Sequence, residues 1–515
     1  MCMKTRCRRP PWKTPRHSGA APAFLSAAAC LLLAGCALKI PPFGADILTD
    51  AARDRIPGQW SGPHRRGPVV PGWIRSFRDP ELTRLVEDAV INNPDLKAAA
   101  ARVEASRYAV RVAASSLYPR IGAKILGNRQ GQEMRGDLNL GIDPPSFGGI
   151  PGIGDEGGSA SDRSVESSTQ RWVYGLGLGA AWEADVWGRV RSKKAAAQAE
   201  SDALAADYEF ARQSLAAAVA RAYFSTIEAA QQAANATETM SYYNEALKLA
   251  DVRREQGHAS DFDLAQIKAR AAFAQDAVYI AQAARAQAVR AIEIVTSHYP
   301  SGRLATRSSF PEQPGPVPAG LPSQLLERRP DLLAAEQRFA AAFHRVSEAR
   351  AARLPRFAIS ATSGLGTAAL DGVGVLDALT WSLAGGITQP IFFGGELKAV
   401  QDIRTAEQKA AAASYTATAL RAFGDVEDAL AGDYYLRKRE SALSDVVENS
   451  GVSVKLAGEQ LEQGLIDTFT TLRLASEDLS AKIELTKVRA ARLRERVNLY
   501  LALGGDFKGT DTFAK

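Results

Sequence analysis

Cysteine is scarce in this chain of 515 residues, which has four of them. Cys2, Cys7 and Cys30 lie in a basic and apolar leader, so only Cys36 remains beyond it. One cysteine cannot form a disulfide framework or a multi-cysteine metal site. The five histidines lack metal-ligand spacing, and no nucleophile elbow or phosphate loop occurs. The sequence therefore predicts neither a cofactor nor an enzyme.

An excess of charge of one sign is also lacking once the leader is set aside. The chain has 63 basic and 57 acidic residues, and six of the basic ones precede Cys36. The rest of the chain is formally neutral, because its remaining basic residues equal its acidic ones in number. The pI of about 9.0 therefore comes from the leader. This balance gives no indication of nucleic-acid binding.

Long hydrophobic runs are missing as well. Residues 1–35 have a basic start and an apolar core too short to span a bilayer, which predicts a secretory signal peptide. No later segment approaches 18 consecutive apolar residues, the signature of a transmembrane helix. Leu33-Ala34-Gly35-Cys36 is similar to a bacterial lipobox, so a lipid is predicted on Cys36. The alternative is an ordinary signal peptide whose cleavage site happens to include a cysteine.

What the chain does contain is an internal duplication. Four pairs of segments match in the same order: 93–99 with 329–335, Pro119-Arg120 with Pro355-Arg356, 185–189 with 389–395, and 249–257 with 456–464. Four ordered matches indicate two copies of one structural plan. The boundaries predicted from them are 36–80 for a lipid-anchored segment, 81–299 and 323–505 for the repeats, 300–322 for a Pro-rich linker and 506–515 for a tail.

Each copy predicts the same order of elements. A helix that restarts at a proline comes first, then two strands joined by a loop, a long helix, a tight turn and a returning helix of about 36 residues. The predicted bounds are 81–116 and 323–352 for the first helices, 120–128, 173–182, 356–364 and 379–390 for the strands, 131–171 and 367–378 for the loops, and 189–255 and 396–462 for the long helices. The turns follow at Gly257 and Gly464.

The long helices carry small apolar residues at heptad spacing, which predicts close coiled-coil packing. At 1.5 Å per residue, each would extend roughly 100 Å. The strands alternate apolar and small residues and are long enough to cross a bilayer when tilted. Four strands cannot close around a lumen, and open edges are not tolerated in lipid, so several chains must contribute. Three chains would supply twelve strands.

The motifs that carry a family resemblance are Gly72–Leu82, Asn93–Leu96, Trp182–Gly188 and Gln389–Phe392. They resemble the TolC-like outer-membrane efflux lipoproteins, and the nodulation-type branch in particular. The resemblance implies an α+β fold that forms, as a homotrimer, a 12-strand transmembrane β-barrel and a periplasmic α-helical coiled-coil barrel. It also implies the outer membrane as location, contact with its lipid, and two partners, a periplasmic adaptor and an inner-membrane resistance-nodulation-division pump.

In this family the duct closes at the helical turns. The second turn commonly reads Gly-Leu-x-Asp-Tyr-Leu-Thr-x-Leu-Asp-Ala, and here Asp467 matches the first acid whereas Arg473 replaces the second. The bulky apolar position is Phe469, which corresponds to Phe262 in the first copy. We therefore hypothesise a mixed constriction in which Phe469 forms a steric ring and Arg473 pairs with Asp467 or Asp263. The alternative is that these are solvated turn residues with an ordinary core phenylalanine.

Two further function classes fit the sequence less well than a duct. Residues 364–369 mimic a dinucleotide fingerprint, but no helical pattern follows, so a strand end entering a loop is predicted instead. A structural coiled-coil outer-membrane lipoprotein without transport activity would explain the long helices. It would not explain the duplicated strand pairs and paired turns.

Overall fold

The computed structural model describes residues 40–48, 56–69, 71–137, 164–257, 259–370 and 373–507. The predicted signal peptide and the lipid site at Cys36 lie outside this part of the chain. The described residues fall into two compact units. The strand unit contains residues 112–193 and 347–400, and the helical unit contains residues 40–111, 194–346 and 401–507.

The strand unit holds one four-stranded antiparallel sheet in the order β1-β2-β3-β4. Its strands are β1 (Arg120–Asp137), β2 (Ser164–Ala184), β3 (Arg356–Leu370) and β4 (Val373–Thr388). The two hairpins have the same register, because Arg120 lies opposite Ala181 in the first and Arg356 lies opposite Thr388 in the second.

The strands are longer than the sequence pattern predicts. β1 and β2 extend into the loop predicted at 131–171, and β3 and β4 take up most of the one predicted at 367–378. Residues 364–369 form the last part of β3, which ends at Leu370, so they are a strand end as predicted. Glycine and polar residues suggested loops, but strand length here follows from the backbone pairing that each neighbour offers.

The helical segments begin and end close to their predicted bounds. They are α1 (Pro80–Asn92), α2 (Pro94–Ser115), α3 (Arg189–Glu255), α4 (Asp261–Val295), α5 (Pro322–Arg328), α6 (Pro330–Ala351), α7 (Glu396–Glu462) and α8 (Thr468–Ala502), with short 3-10 helices at Gly44–Ile47 and Trp73–Phe77. The restarts predicted at Pro94 and Pro330 are confirmed. Among the described helices, none is both long and apolar enough to cross a membrane.

The core of the helical unit contains the aromatic residues of the N-terminal motif. The Trp73 ring stacks on Tyr500, with centroids 5.6 Å apart, and Phe77 contacts Phe224 at 5.2 Å. Small residues of α3 let neighbouring helices approach closely, since Ala217 is fully buried. One seam along α8 is buried, and it is formed by Leu472, Leu479, Thr486, Ala490, Leu493, Val497 and Tyr500.

A buried carboxylate anchors the start of α1. Asp79 is 2% exposed and accepts hydrogen bonds from the backbone N–H groups of Glu81 (3.0 Å) and Leu82 (3.2 Å). It also accepts from the Tyr223 hydroxyl at 3.0 Å and from Arg307 at 3.3 Å. Asp79 thus ties the N-terminal motif to α3 and to the linker between the copies.

Candidate functional site

The sheet of the strand unit has one strongly apolar face. Strand alternation and the observed register place ten large apolar residues, drawn from all four strands, on this face. The side chains are well exposed, with Trp381 at 78%. The face is formed by Ile121, Ile125, Leu176, Leu178, Ile359, Leu365, Leu379, Trp381, Leu383 and Ile387.

The opposite face is made almost entirely of small and hydroxylated residues. The Thr362 and Ser382 hydroxyls lie 2.7 Å apart, and the Thr380 hydroxyl donates to the Gly364 carbonyl at 3.3 Å. Lys124 adds a positive charge to this face beside Gly177. The other residues here are Gly122, Gly175, Gly179, Ala181, Ser360, Ala384 and Gly386. One face therefore suits lipid and the other suits water.

The helical turns, in the other unit, begin at glycines. Gly257 and Gly464 have φ of 78° and 72°, values that favour glycine over any side chain. Their N–H groups donate to the carbonyls of Arg254 (2.9 Å) and Leu461 (3.1 Å). Both predicted turn glycines therefore end their long helices in the same way.

Each returning helix is capped by a hydroxyl residue and an aspartate three positions apart, and the order of the two is reversed between the turns. In the first turn Ser260 caps α4, and Asp263 accepts from the Ser260 N–H (3.0 Å) and hydroxyl (2.8 Å). In the second turn Asp467 is the cap and accepts from the Thr470 N–H (2.8 Å) and hydroxyl (2.9 Å). These hydrogen bonds lower the pKa of Asp467. Both carboxylates therefore accept hydrogen bonds at the N-terminus of a helix.

The two matched phenylalanines lie in different surroundings. Phe469 is half-buried and packs against an apolar cluster that includes Tyr243, Leu264 and Leu472. Phe262, at the corresponding position of the first copy, is 69% exposed. Phe469 thus fits the alternative of a core phenylalanine, and Phe262 is the residue of the pair that is free to contact a solute or another chain.

In the single chain, Arg473 pairs with an acid other than the two named in the constriction hypothesis. Arg473 lies one turn from Glu477 on α8 and binds its carboxylate at 2.7 Å. Residues four positions apart are neighbours on the surface of a helix, so this pair forms within α8 alone. Asp467 and Asp263, the two acids proposed as partners, hold helix caps instead.

The sequence interpretation missed several residues of these surfaces. Lys124 was not singled out, although strand alternation predicts its face, and the exposed apolar residues Ile391, Phe392 and Phe393 appeared only within a matched segment. Asp79 was quoted only as part of a motif. Among the described residues, no group of histidine, cysteine and acidic side chains could hold a metal ion.

Comparison with known proteins extends over most of the chain. The family profile for outer membrane efflux proteins matches residues 85–296 and 321–505, one segment for each copy. Outer membrane protein OprJ of Pseudomonas aeruginosa is 30% identical over 87% of this chain and 90% of its own length. The pyoverdine export outer membrane protein OpmQ of Pseudomonas putida is 28% identical over 96% and 98%.

Solved structures give the same result. The outer-membrane channel OprN has a TM-score of 0.75 at 27% identity, over 92% of this chain and 99% of that one. The match includes both copies, with their strand pairs and long helices. The chain therefore belongs to the outer membrane efflux protein family.

Proposed function

We propose that three copies of this chain enclose a duct that carries small molecules from a periplasmic adaptor and an inner-membrane pump to the cell exterior. The observation that carries this proposal is the two-faced sheet. Ten large apolar side chains share one face and are exposed in the single chain. Burying each would contribute roughly 1.5–3 kcal/mol, so the face favours a hydrocarbon environment strongly.

The sheet also has two open edges, at β1 and β4. In lipid, unpaired backbone groups cost several kcal/mol each, so the edges must pair with other chains. Twelve strands from three chains would close such a sheet with its Gly, Ser and Thr face inward. The small size of these side chains would leave an aqueous passage within the strands.

Family membership places the protein in the outer membrane and makes it a transport protein rather than an enzyme. Several relatives are named as outer membrane proteins of pumps, for solvents and for toluene among others. We propose that this chain likewise works with a periplasmic adaptor and a resistance-nodulation-division pump. Energy for export would come from that pump. A lipid on Cys36 would hold the start of the mature chain at the membrane.

The constriction is proposed at the two turns. Phe262 supplies an exposed ring, and Asp467, Asp263 and Arg473 supply the charges of the two turns. Phe469 stabilises the second turn by packing against the apolar cluster. This revises the hypothesis of a Phe469 ring, because the exposed phenylalanine is the one in the first turn.

The duct is tested by single-channel conductance of the purified full-length protein in planar bilayers, with crosslinking to count subunits. We expect trimers with a low resting conductance. A monomer without conductance would refute the duct and favour a structural lipoprotein.

The constriction is tested with variants in the same assay. Asp467→Asn removes the charge but keeps a side chain that caps helices well, whereas Asp467→Ala removes both. We expect Asp467→Asn, Phe262→Ala and Arg473→Ala to raise the conductance, and Lys97→Ala, on exposed α2, to leave it unchanged. Unaltered conductance of assembled Phe262→Ala and Asp467→Asn trimers would refute the constriction while leaving the duct in place.

A further inference from the structure

A cavity of about 360 Å³ lies in the helical unit, between α7, α8 and two extended segments. These segments are residues 63–65, in the N-terminal part of the described chain, and residues 316–317 of the linker. Their backbones are joined nearby, because the Ala319 N–H donates to the Arg65 carbonyl at 3.1 Å. The Trp60 indole N–H also donates to the Ala319 carbonyl, at 3.2 Å. Hydrogen bonds of the fold therefore hold the cavity walls in place.

One part of the cavity wall is apolar. Val317, Leu430 and Leu499 are almost completely buried and line the cavity, and Tyr434 adds an aromatic ring. Sites for small organic ligands have volumes of roughly 300–1,000 Å³ and mostly apolar walls, with a few polar groups that orient the ligand. The cavity lies at the small end of this range.

The polar part of the wall is basic. Arg65, Arg437 and Arg496 line the cavity, and Asp433 is the one acid among the lining residues, all of which are described. With His64 neutral, three arginines and one aspartate leave an excess of positive charge. Arg65 and Arg437 are exposed, and neither forms an ion pair with an acid in the described part of the chain. The excess charge is therefore not neutralised by those residues.

Arg496 is the buried arginine of this group, with 2% of its surface exposed. Its Nη1 donates to the Gly315 carbonyl at 3.3 Å, and its Nη2 lies 2.9 Å from Asp433 Oδ1. Its Nε–H has no acceptor among the described residues. Burial lowers the pKa of Arg496, and the charges of Arg492 and Arg437 lower it further, against the opposing effect of Asp433. The guanidinium thus keeps an unpartnered donor in positive surroundings.

We propose that this cavity binds a small organic anion with an apolar body, such as an aromatic carboxylate. Arg496, Arg437 and Arg65 hold the carboxylate, and Leu430 and Leu499 contact the apolar body. A planar guanidinium suits a carboxylate because two parallel N–H groups reach its two oxygens. The site belongs to the helical unit alone, so it does not depend on the proposed duct.

The alternative is a purely structural role for Arg496, which links Asp433 of α7 and Gly315 of the linker to α8. That role accounts only for the two Nη groups. Buried polar groups are hydrogen-bonded in roughly 90% of cases or more, so the Nε–H favours an acceptor from outside the chain. A water molecule would satisfy this donor but would leave the excess charge of the cavity, whereas an anion satisfies both.

Binding is measured with radiolabelled benzoate, by equilibrium dialysis against the full-length protein in detergent, with protein-free micelles as the blank. We expect saturable binding of about one benzoate per chain. Benzamide has the same ring without the charge, and it should compete at least about tenfold less well, because hydrogen bonds between charged groups are the stronger ones. Inorganic phosphate, which lacks the apolar body, should also compete less well than unlabelled benzoate.

A double variant tests the two exposed arginines. Arg65→Gln and Arg437→Gln each remove an exposed charge worth about threefold in affinity, so together they should weaken benzoate binding about tenfold. The matched control is Arg439→Gln, at an exposed arginine of α7 that does not line the cavity. We expect the control to bind benzoate as the wild type does.

Asp433→Asn is expected to act in the opposite direction. It removes the negative charge that competes with the ligand for Arg496 and keeps a side-chain oxygen, so benzoate should bind about threefold more tightly. Thermal melting of every variant ensures that folded proteins are compared.

Several results would overturn the site. They are the absence of saturable benzoate binding, competition by benzamide or phosphate equal to that of benzoate, and equal affinity in the double variant and the Arg439→Gln control. Weaker binding by a folded Asp433→Asn variant would also overturn it, because the aspartate would then support the ligand rather than oppose it.

Discussion

Replacing Asp79 with alanine is expected to destabilise the helical unit far more than the same change at Asp467, although both residues cap helices. Asp79 Oδ1 accepts two backbone N–H groups at the start of α1. Losing that cap costs about 1 kcal/mol. Asp79 Oδ2 accepts the hydroxyl of Tyr223, which is fully buried and whose pKa is raised by burial and by Asp79.

The buried hydroxyl raises the cost further. Without Asp79, the Tyr223 hydroxyl keeps only Glu81 as an acceptor, at 3.3 Å. Losing the better acceptor costs about 1–2 kcal/mol of unfolding free energy. The bond to the half-exposed Arg307 adds less than about 1 kcal/mol. Asp79→Ala should therefore cost about 3 kcal/mol, and Asp467→Ala, at an exposed cap, about 1 kcal/mol.

The assay is guanidinium unfolding of the detergent-solubilised protein, followed by tryptophan fluorescence, to which Trp73 in the same core contributes. Asp79→Asn keeps a good capping side chain and should lie between the two alanine variants. Equal losses of unfolding free energy for Asp79→Ala and Asp467→Ala would refute the reasoning, because the buried Tyr223 contact would then contribute nothing.

Two other predictions concern charge. If the Gly, Ser and Thr face lines the passage, Lys124→Glu should lower the anion-to-cation permeability ratio, measured from reversal potentials. We expect a decrease of about twofold at 0.1 M salt and a smaller one at 1 M, where charges are screened. An unchanged ratio would place Lys124 outside the passage. Burial lowers the pKa of His344 below its ordinary value of 6.5. The unfolded chain therefore takes up the proton first, and stability should fall as the pH drops below 6.5 towards the folded pKa. His344→Phe should flatten this loss in melting curves recorded across that range, and an identical pH dependence would contradict it.

Elements that depend on local interactions could be predicted from the amino-acid sequence. The long helices Arg189–Glu255 and Glu396–Glu462 begin and end where predicted, because heptad spacing and the turn glycines act within a few residues along the chain. The restarts at Pro94 and Pro330 are equally local, since proline suits the first turn of a helix. The duplication and the family also follow from sequence alone.

The contacts of individual side chains could not be predicted in this way, because they depend on residues far apart in the sequence. The strands continue past their predicted ends because backbone pairing with a neighbour is a long-range interaction. Phe262 and Phe469 occupy matching positions, yet only Phe469 packs against the apolar cluster, because burial depends on which helices surround each turn. Arg473 binds Glu477, a carboxylate one turn away on the same helix, whereas Asp467 and Asp263 hold hydrogen bonds at helix starts. Local patterns thus determine the elements, and competition among neighbours determines their contacts.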